Sequence, residues 1–371
     1  MKLVTSPADL TQLASTLSGA SLLFLDTEFE SNRSGVTLCL LQVSRGDEAF
    51  LVDALALRDL SPLAAPFANA TTWVLHAGQQ DVSLIRERVG LEARPSVFDT
   101  QVAWALTSVE YSVSLAYAQF RALGLRGKKG HQADDWVRRP LPPSQLAYAA
   151  ADVEHLPALH GWLRERAEKL GRAELVAAAS AEVIWPAPSA PHALSLESFR
   201  NAWQLDQREQ AALSYIIDWF NALPAAERSD APENKTLLAI AARLPRSVDD
   251  LMRIKGVPRG WSGEFGAKFV RELVRAAEAA NAGGFVPIDP PPYATAPEIA
   301  VEGWLAAARA AVCTKLLVAP ELVLPTRVMK ALRSHALAQG TVDLAAALPG
   351  YRRELLGPSL QQFASEFPLR F

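Results

Sequence analysis

Two proline-rich breaks limit what this chain can fold into. The first runs Trp185-Pro186-Ala187-Pro188-Ser189-Ala190-Pro191, and the second extends from Gly283-Gly284 through Pro287 and Pro290-Pro291-Pro292 to Pro297. Proline fixes φ and has no backbone N–H, so neither a helix nor a sheet ladder passes through such a stretch. The 371 residues therefore separate into segments 1–185, 195–281 and 297–371, in keeping with about 150 residues per domain.

The first segment alternates short β-rich runs with helical stretches. Leu22–Leu25, Thr37–Val43 and Ala49–Val52 are joined by short polar connections that suit hairpins, while Thr72–Leu75 follows an interval long enough for a crossover helix. This pattern predicts an α/β domain with a mixed sheet, helical from about Asp81 to Ala181. Beyond residue 191 no strand pattern occurs. Val248 and Gly256 in one segment and Val342 and Gly350 in the other share a spacing of eight residues, which predicts two copies of one small helical module.

A chain that is 50% hydrophobic and 21% charged can fill several cores, which excludes global disorder. Its 37 basic and 40 acidic residues give a net charge of -3, and the acidity belongs to the part before residue 190, with 17 basic against 21 acidic residues. Nucleic-acid binding, if present, must be local. Cys39 and Cys313 are the two cysteines, which argues against a disulfide framework or a cysteine-built zinc site. No run of 18 apolar residues occurs, and the expectation is a soluble, cytoplasmic protein.

Three constellations carry candidate chemistry. In Leu25-Asp26-Thr27-Glu28-Phe29, period-two alternation puts Asp26 and Glu28 on one face of a strand. Adjacent like charges repel unless a hard divalent cation lies between them, although a strand edge meeting solvent accounts for them equally well. In Tyr148-Ala149-Ala150-Ala151-Asp152, the tyrosine and the acid are four residues apart on one helix face among alanines. They point either into a cleft or, as in any amphipathic helix, into water. The third, His76-Ala77-Gly78-Gln79-Gln80-Asp81, leaves a strand through a glycine turn and puts Asp81 near a helix start, where a carboxylate also stabilises the helix dipole. His76 reads as a satisfied histidine outside any metal site.

Together these three motifs resemble those of the DEDD superfamily of 3′-to-5′ exonucleases, and most closely the ribonuclease D family. Asp-Thr-Glu-Phe at 26–29, His-Ala-Gly-Gln-Gln-Asp at 76–81 and Tyr-Ala-Ala-Ala-Asp at 148–152 match its three exonuclease motifs, and Tyr148 marks the tyrosine-type branch. The run Asp135-Trp136-Val137-Arg138-Arg139-Pro140-Leu141 is similar to a further family element, with Asp134 standing where a small hydroxyl residue is expected. The resemblance implies a ribonuclease H-like mixed-sheet exonuclease domain in which Asp26, Glu28, Asp81 and Asp152 hold two Mg²⁺ or Mn²⁺ ions. Asp26 would bridge both ions, Asp81 would act through water, and Tyr148 would orient the attacking water. With Thr236–Ala241, the Leu244-Pro245 step, Leu251–Val257 and Phe265-Gly266, residues 195–281 resemble an HRDC domain, and 297–371 a divergent second copy.

That likeness implies hydrolysis of RNA from its 3′ end to nucleoside 5′-monophosphates, with transfer RNA precursors as substrates. A DNA exonuclease and a catalytically silent nucleic-acid-binding adaptor are the competing readings. Arg126, Lys128, Lys129 and His131 crowd one loop and Arg138 and Arg139 follow it, a basic cluster suited to phosphate. In the first helical module Lys268, Arg271 and Arg275 share a helix face, and Trp261 offers either a stacking surface or a core ring. If both modules only add grip, a chain cut at Pro188 keeps its sheet and its hydrolysis of short RNA.

Overall fold

The computed structural model describes residues 1–32, 35–126, 134–186, 193–224, 227–280, 283, 285–290, 292–339 and 344–369. Among them the first segment builds a six-stranded sheet from β1 (Lys2–Val4), β2 (Leu22–Asn32), β3 (Gly35–Ser44), β4 (Ala49–Asp53), β5 (Thr72–Leu75) and β6 (Val97–Asp99), in the order β1-β4-β3-β2-β5-β6. β2, β3 and β4 pair antiparallel, and β1, β5 and β6 join their neighbours in parallel. The mixed sheet thus follows from hairpins in the middle and crossovers at the edges. Two short edge strands escape the sequence pattern: β1, and β6 inside a stretch that reads as helical. Three residues are too few to show a period.

Helices cover both faces. α1 (Pro7–Leu17), α2 (Ala64–Asn69) and α3 (Gln79–Val89) bury their apolar residues against Leu23, Leu25, Leu41, Val43 and Val52. On the opposite face α4 (Thr100–Ala105), α5 (Leu115–Leu123), α6 (Pro143–Glu154), α7 (Leu156–Lys169) and α8 (Ala173–Ile184) share a core with Phe24, Leu40, Leu51 and Val74. Strand alternation therefore sends Asp26 and Glu28 to the α6 side, with Phe24. They lie mid-strand and not at its end, because β2 runs on to Asn32 past an irregularity in register between Glu28 and Phe29.

Residues Pro188–Ala294 form a separate compact unit. Its α9 (Gln207–Ala222), α10 (Asn234–Arg243), α11 (Val248–Met252) and α12 (Glu264–Ala279) enclose a core of Leu213, Ile216, Leu237, Ile240, Phe269 and Leu273. Trp261 is 8% exposed, with its ring 5.2 Å from that of Trp219 and 4.8 Å from that of Phe269. It is a core residue, not a surface for a base.

The second proline-rich break does not set the last segment apart in space. Thr295–Phe371 belongs to the same compact unit as Met1–Ala187, and α13 (Ala296–Leu316), α14 (Pro320–Val323), α15 (Thr326–Gln339) and α16 (Tyr351–Glu366) extend the core of α4–α8. The Ala319 N–H donates to the Ala105 carbonyl at 2.7 Å. Arg172 reaches the Leu106 carbonyl on one side and the Leu316 carbonyl on the other. Arg352 pairs with Glu182 at 2.6 Å and donates to the carbonyls of Leu322 and Val323. A cut at Pro188 therefore strips the sheet unit of part of its core and breaks the bonds from Ala319 to Ala105, from Arg172 to Leu316 and between Arg352 and Glu182, contrary to the simple division of labour that the breaks suggest. Among the described residues no helix is long and apolar enough to cross a membrane.

The side chain of Arg352 is 2% exposed, whereas Arg327, which also pairs with Glu182, is 65% exposed. Removing Arg352 leaves the carbonyls of Leu322 and Val323 without their buried donor and Glu182 with only its exposed partner, so Arg352→Ala should lower unfolding free energy by roughly 1–3 kcal/mol. Arg327→Ala should cost less than about 1 kcal/mol. Urea unfolding of the full chain measures both.

Candidate active site

β2 and α6 supply the centre of the site. Single oxygens from Asp26, Glu28 and Asp152 all lie within 4.8 Å of one another. Asp26 and Glu28 come from alternate positions of β2, and Asp152 from the third turn of α6. α6 can lie close to the sheet because Ala149 and Ala150 face it, both buried. Tyr148, one turn before Asp152, hydrogen-bonds its carboxylate. Trp136 is buried beside that tyrosine, ring centres 6.4 Å apart.

Asp81 stands in the first turn of α3 and does not belong to the three-residue cluster. Its carboxylate accepts a hydrogen bond from the Thr27 hydroxyl, which points away from the Asp26 side of the strand. Its charge is still felt by Asp26 and Glu28. The turn before α3 is tightly specified: Ala77 has φ of 54°, and a Cβ on Gly78 would meet the Leu75 Cβ at 2.5 Å. Buried Asp99 clamps this turn, accepting from the N–H groups of Ala77 at 3.1 Å and Gly78 at 3.0 Å while capping α4 through Gln101 and Val102. Sequence reasoning passed over Thr27 and Asp99, although Asp99 before a helix is a recognisable cap signal. His76 lies outside the acidic cluster, its Nδ1 2.9 Å from the Thr100 hydroxyl and its Nε2 2.8 Å from the Val113 carbonyl.

Burial and crowding make these carboxyls hard to ionise. Burial first, and then the charges of Asp81, Asp152 and Glu28, push Asp26 well above the usual carboxylate range. Burial together with Asp152, Asp81 and Asp134 lifts Glu28 to about 8. Burial raises Asp152 to about 7 against the Tyr148 hydrogen bond, and Asp81 to about 6 against the bond from Thr27. Asp134 adds negative charge that acts on Glu28. A donor set made of carboxylate oxygens alone, all raised by burial and Asp26 and Glu28 also by the charges of the other acids, fits a hard divalent cation.

The basic residues part company. Arg139 forms a two-pronged pair with Asp53 at 2.6 and 2.8 Å and donates to the carbonyls of Cys39 and Trp136. Its charge is committed inside the fold; the Arg139 bonds and nearby N–H groups hold Asp53 below its ordinary range although burial opposes them. Arg126 and Arg138 are exposed, while Lys128, Lys129 and His131 lie outside the described residues. In the separate helical unit Lys268, Arg271 and Arg275 are exposed, and the two arginines line a groove with Arg246.

Comparisons with known proteins decide the family. A family profile described as 3′-5′ exonuclease matches residues 1–168, and one described as HRDC domain matches 232–273. The ribonuclease D of Gluconacetobacter diazotrophicus is 33% identical over 329 residues, spanning 86% of this chain and 83% of that protein. The chain belongs to the ribonuclease D family of 3′-to-5′ exoribonucleases. The ribonuclease D of Granulibacter bethesdensis is 32% identical over 74% of this chain and 71% of its own. The crystal structure of Escherichia coli RNase D, described as an exoribonuclease involved in structured RNA processing, shares the fold over 99% of both chains with a TM-score of 0.69 at 23% identity. In this ribonuclease D family chain the three motif acids that cluster belong to the first and third motifs, and the second supplies Asp81.

The raised carboxyls have a signed consequence for stability. Glu28 and Asp152 ordinarily ionise near 4.5 and 3.8, and the fold moves them to about 8 and about 7. The folded chain then holds protons that the unfolded chain has released, so this site costs stability progressively as pH rises from the ordinary values through the folded ones. A bound cation offsets that cost. The rise in melting temperature on replacing EDTA with Mg²⁺ should accordingly be larger at about pH 8 than at about pH 5. Calorimetric melts at both values check it, and an increment that shrinks with pH would contradict the assignment.

Proposed function

We propose that this exoribonuclease trims structured RNA, transfer RNA precursors among them, from the 3′ end and releases nucleoside 5′-monophosphates in the cytoplasm. The observation that carries the reading is the cluster of Asp26, Glu28 and Asp152 oxygens within 4.8 Å, with Asp81 near enough for its charge to act on Asp26 and with Tyr148 hydrogen-bonded to Asp152. Asp26, Glu28, Asp81 and Asp152 would hold two divalent ions, Mg²⁺ or Mn²⁺. Such ions lower the pKa of water and neutralise charge that develops on the phosphoryl group and leaving oxygen. Asp26, flanked by the other acids, is the residue suited to bridge them. Tyr148, held by Asp152, orients the attacking water through its hydroxyl.

The substrate class draws on the Escherichia coli relative, whose description includes structured RNA processing. Phosphate grip would come from Arg126, Lys128, Lys129 and Arg138 in the sheet unit, and from Lys268, Arg271 and Arg275 in the helical one. Incubating 5′-labelled and 3′-labelled RNA with and without Mg²⁺ tests the reading, alongside DNA of the same sequence. Immediate release of labelled mononucleotide from the 3′-labelled strand, and stepwise shortening of the 5′-labelled one, are expected only with the ion and faster on RNA.

Asp26→Asn, which removes a charge at nearly constant volume, should abolish trimming even in excess Mg²⁺. Tyr148→Phe should lower kcat by about 10²-fold or more while divalent-ion binding persists. Calorimetric titration with Mn²⁺ beside single-turnover kinetics separates the two roles; loss of ion binding in Tyr148→Phe would reverse the assignment of that residue.

Replacing Lys268, Arg271 and Arg275 together by Ala should raise KM for folded RNA and leave kcat unchanged. Without these three cations to neutralise phosphates, the slope of log affinity against log salt should flatten by roughly 2. Filter-binding isotherms across a salt series measure it, and an unchanged slope would remove these residues from the interface.

A further inference from the structure

Gln42 sits in β3 with 0% exposure, and neither polar atom of its side-chain amide has a hydrogen-bond partner among the described residues. An amide sealed from water without partners destabilises a folded chain, so its place in this core calls for a reason. The register of the sheet supplies one. Asp26 and Gln42 are directly opposed across the β2–β3 ladder, and opposed residues of an antiparallel pair carry Cβ atoms about 4.5–5.5 Å apart on one face. Glu28 shares that face, and its opposite number on β3 is Leu40, which has nothing to donate. Of the two β3 residues set against Asp26 and Glu28, Gln42 is the one with N–H groups.

We propose that Gln42 is a positioning residue for Asp26, its amide NH₂ donating to the Asp26 carboxylate when a divalent cation is held there. The inference rests on the cation site proposed above. A neutral donor suits this place better than a charged one. Lys or Arg opposite Asp26 would neutralise the carboxylate and compete with the cation, whereas an amide restricts its orientation and leaves its charge for the cation. The arrangement trades stability for order at the site: an apolar residue of similar volume would pack there at lower cost but would leave Asp26 free to turn.

That trade sets the test. Gln42→Leu, with Gln42→Met as a second variant in case the branched side chain packs poorly, is compared with wild type and Asp26→Asn in the full chain. In EDTA at least one of the two should melt no lower than wild type, since the orphaned amide is gone. In the same protein Mn²⁺ binding, followed by electron paramagnetic resonance without RNA, should weaken about tenfold or more, and kcat should fall by a similar factor with KM little changed. Wild-type Mn²⁺ affinity and kcat in a stably folded variant would overturn the role of Gln42 and leave the site reading intact. A lower melting temperature in EDTA for both would overturn it too, by showing that the amide supports the fold itself. If wild type binds no Mn²⁺ and Asp26→Asn trims RNA at full rate, the site reading fails, and the role of Gln42 fails with it.

Discussion

Carboxylates crowded into one partly buried cleft repel one another, and the folded chain sustains that repulsion instead of relieving it. Burial, with the charges of Asp152, Asp81 and Asp134 added, lifts Glu28 to about 8, burial lifts Asp152 to about 7, and buried Asp26 also feels the charges of Asp81, Asp152 and Glu28. Hydrogen bonds from Thr27 to Asp81 and from Tyr148 to Asp152 moderate the strain without removing it. A site in this condition gains free energy from any hard cation that enters, and the gain comes from the acids that also set its geometry.

Holding repelling groups together requires a rigid frame, and much of the remaining structure supplies it. α6 lies across β2, β3 and β4 with buried alanines toward the sheet. Arg139 ties the segment before α6 to Asp53 at the end of β4, and Asp99 fixes the turn that aims α3 and Asp81. Behind α4–α8, the C-terminal helices close the same core and lock on through Arg172 and Arg352. The side of the sheet that carries the acids is thus backed by helices from two separate stretches of the chain, α4–α8 and α13–α16.

Phosphate has to approach an acidic centre, which makes the placement of free positive charge as important as its amount. Arg139 belongs to the basic run in sequence but not in function, because a buried carboxylate claims it. Arg126 and Arg138 stay exposed. In the helical unit Arg246, Arg271 and Arg275 gather on one groove although Arg246 stands in the loop before α11, 25 residues from Arg271 in sequence.

The chemistry of the site was legible in the sequence because its geometry is local. A two-residue period puts Asp26 and Glu28 on one face, a four-residue step aligns Tyr148 with Asp152, and neither requires knowledge of what packs nearby. Hairpins around β2–β4 were legible for the same reason. Other features depend on partners distant in the chain. Arg139 finds Asp53 across 86 residues, Trp261 is enclosed by α9 and α12, and Asp26 meets Gln42 through sheet register. The proline-rich break near residue 290 marks where regular structure stops, but only the tertiary fold decides that the helices beyond it return to the sheet unit. Proline controls its own backbone, whereas the choice of core belongs to complementary apolar surfaces and to the buried arginines that join them.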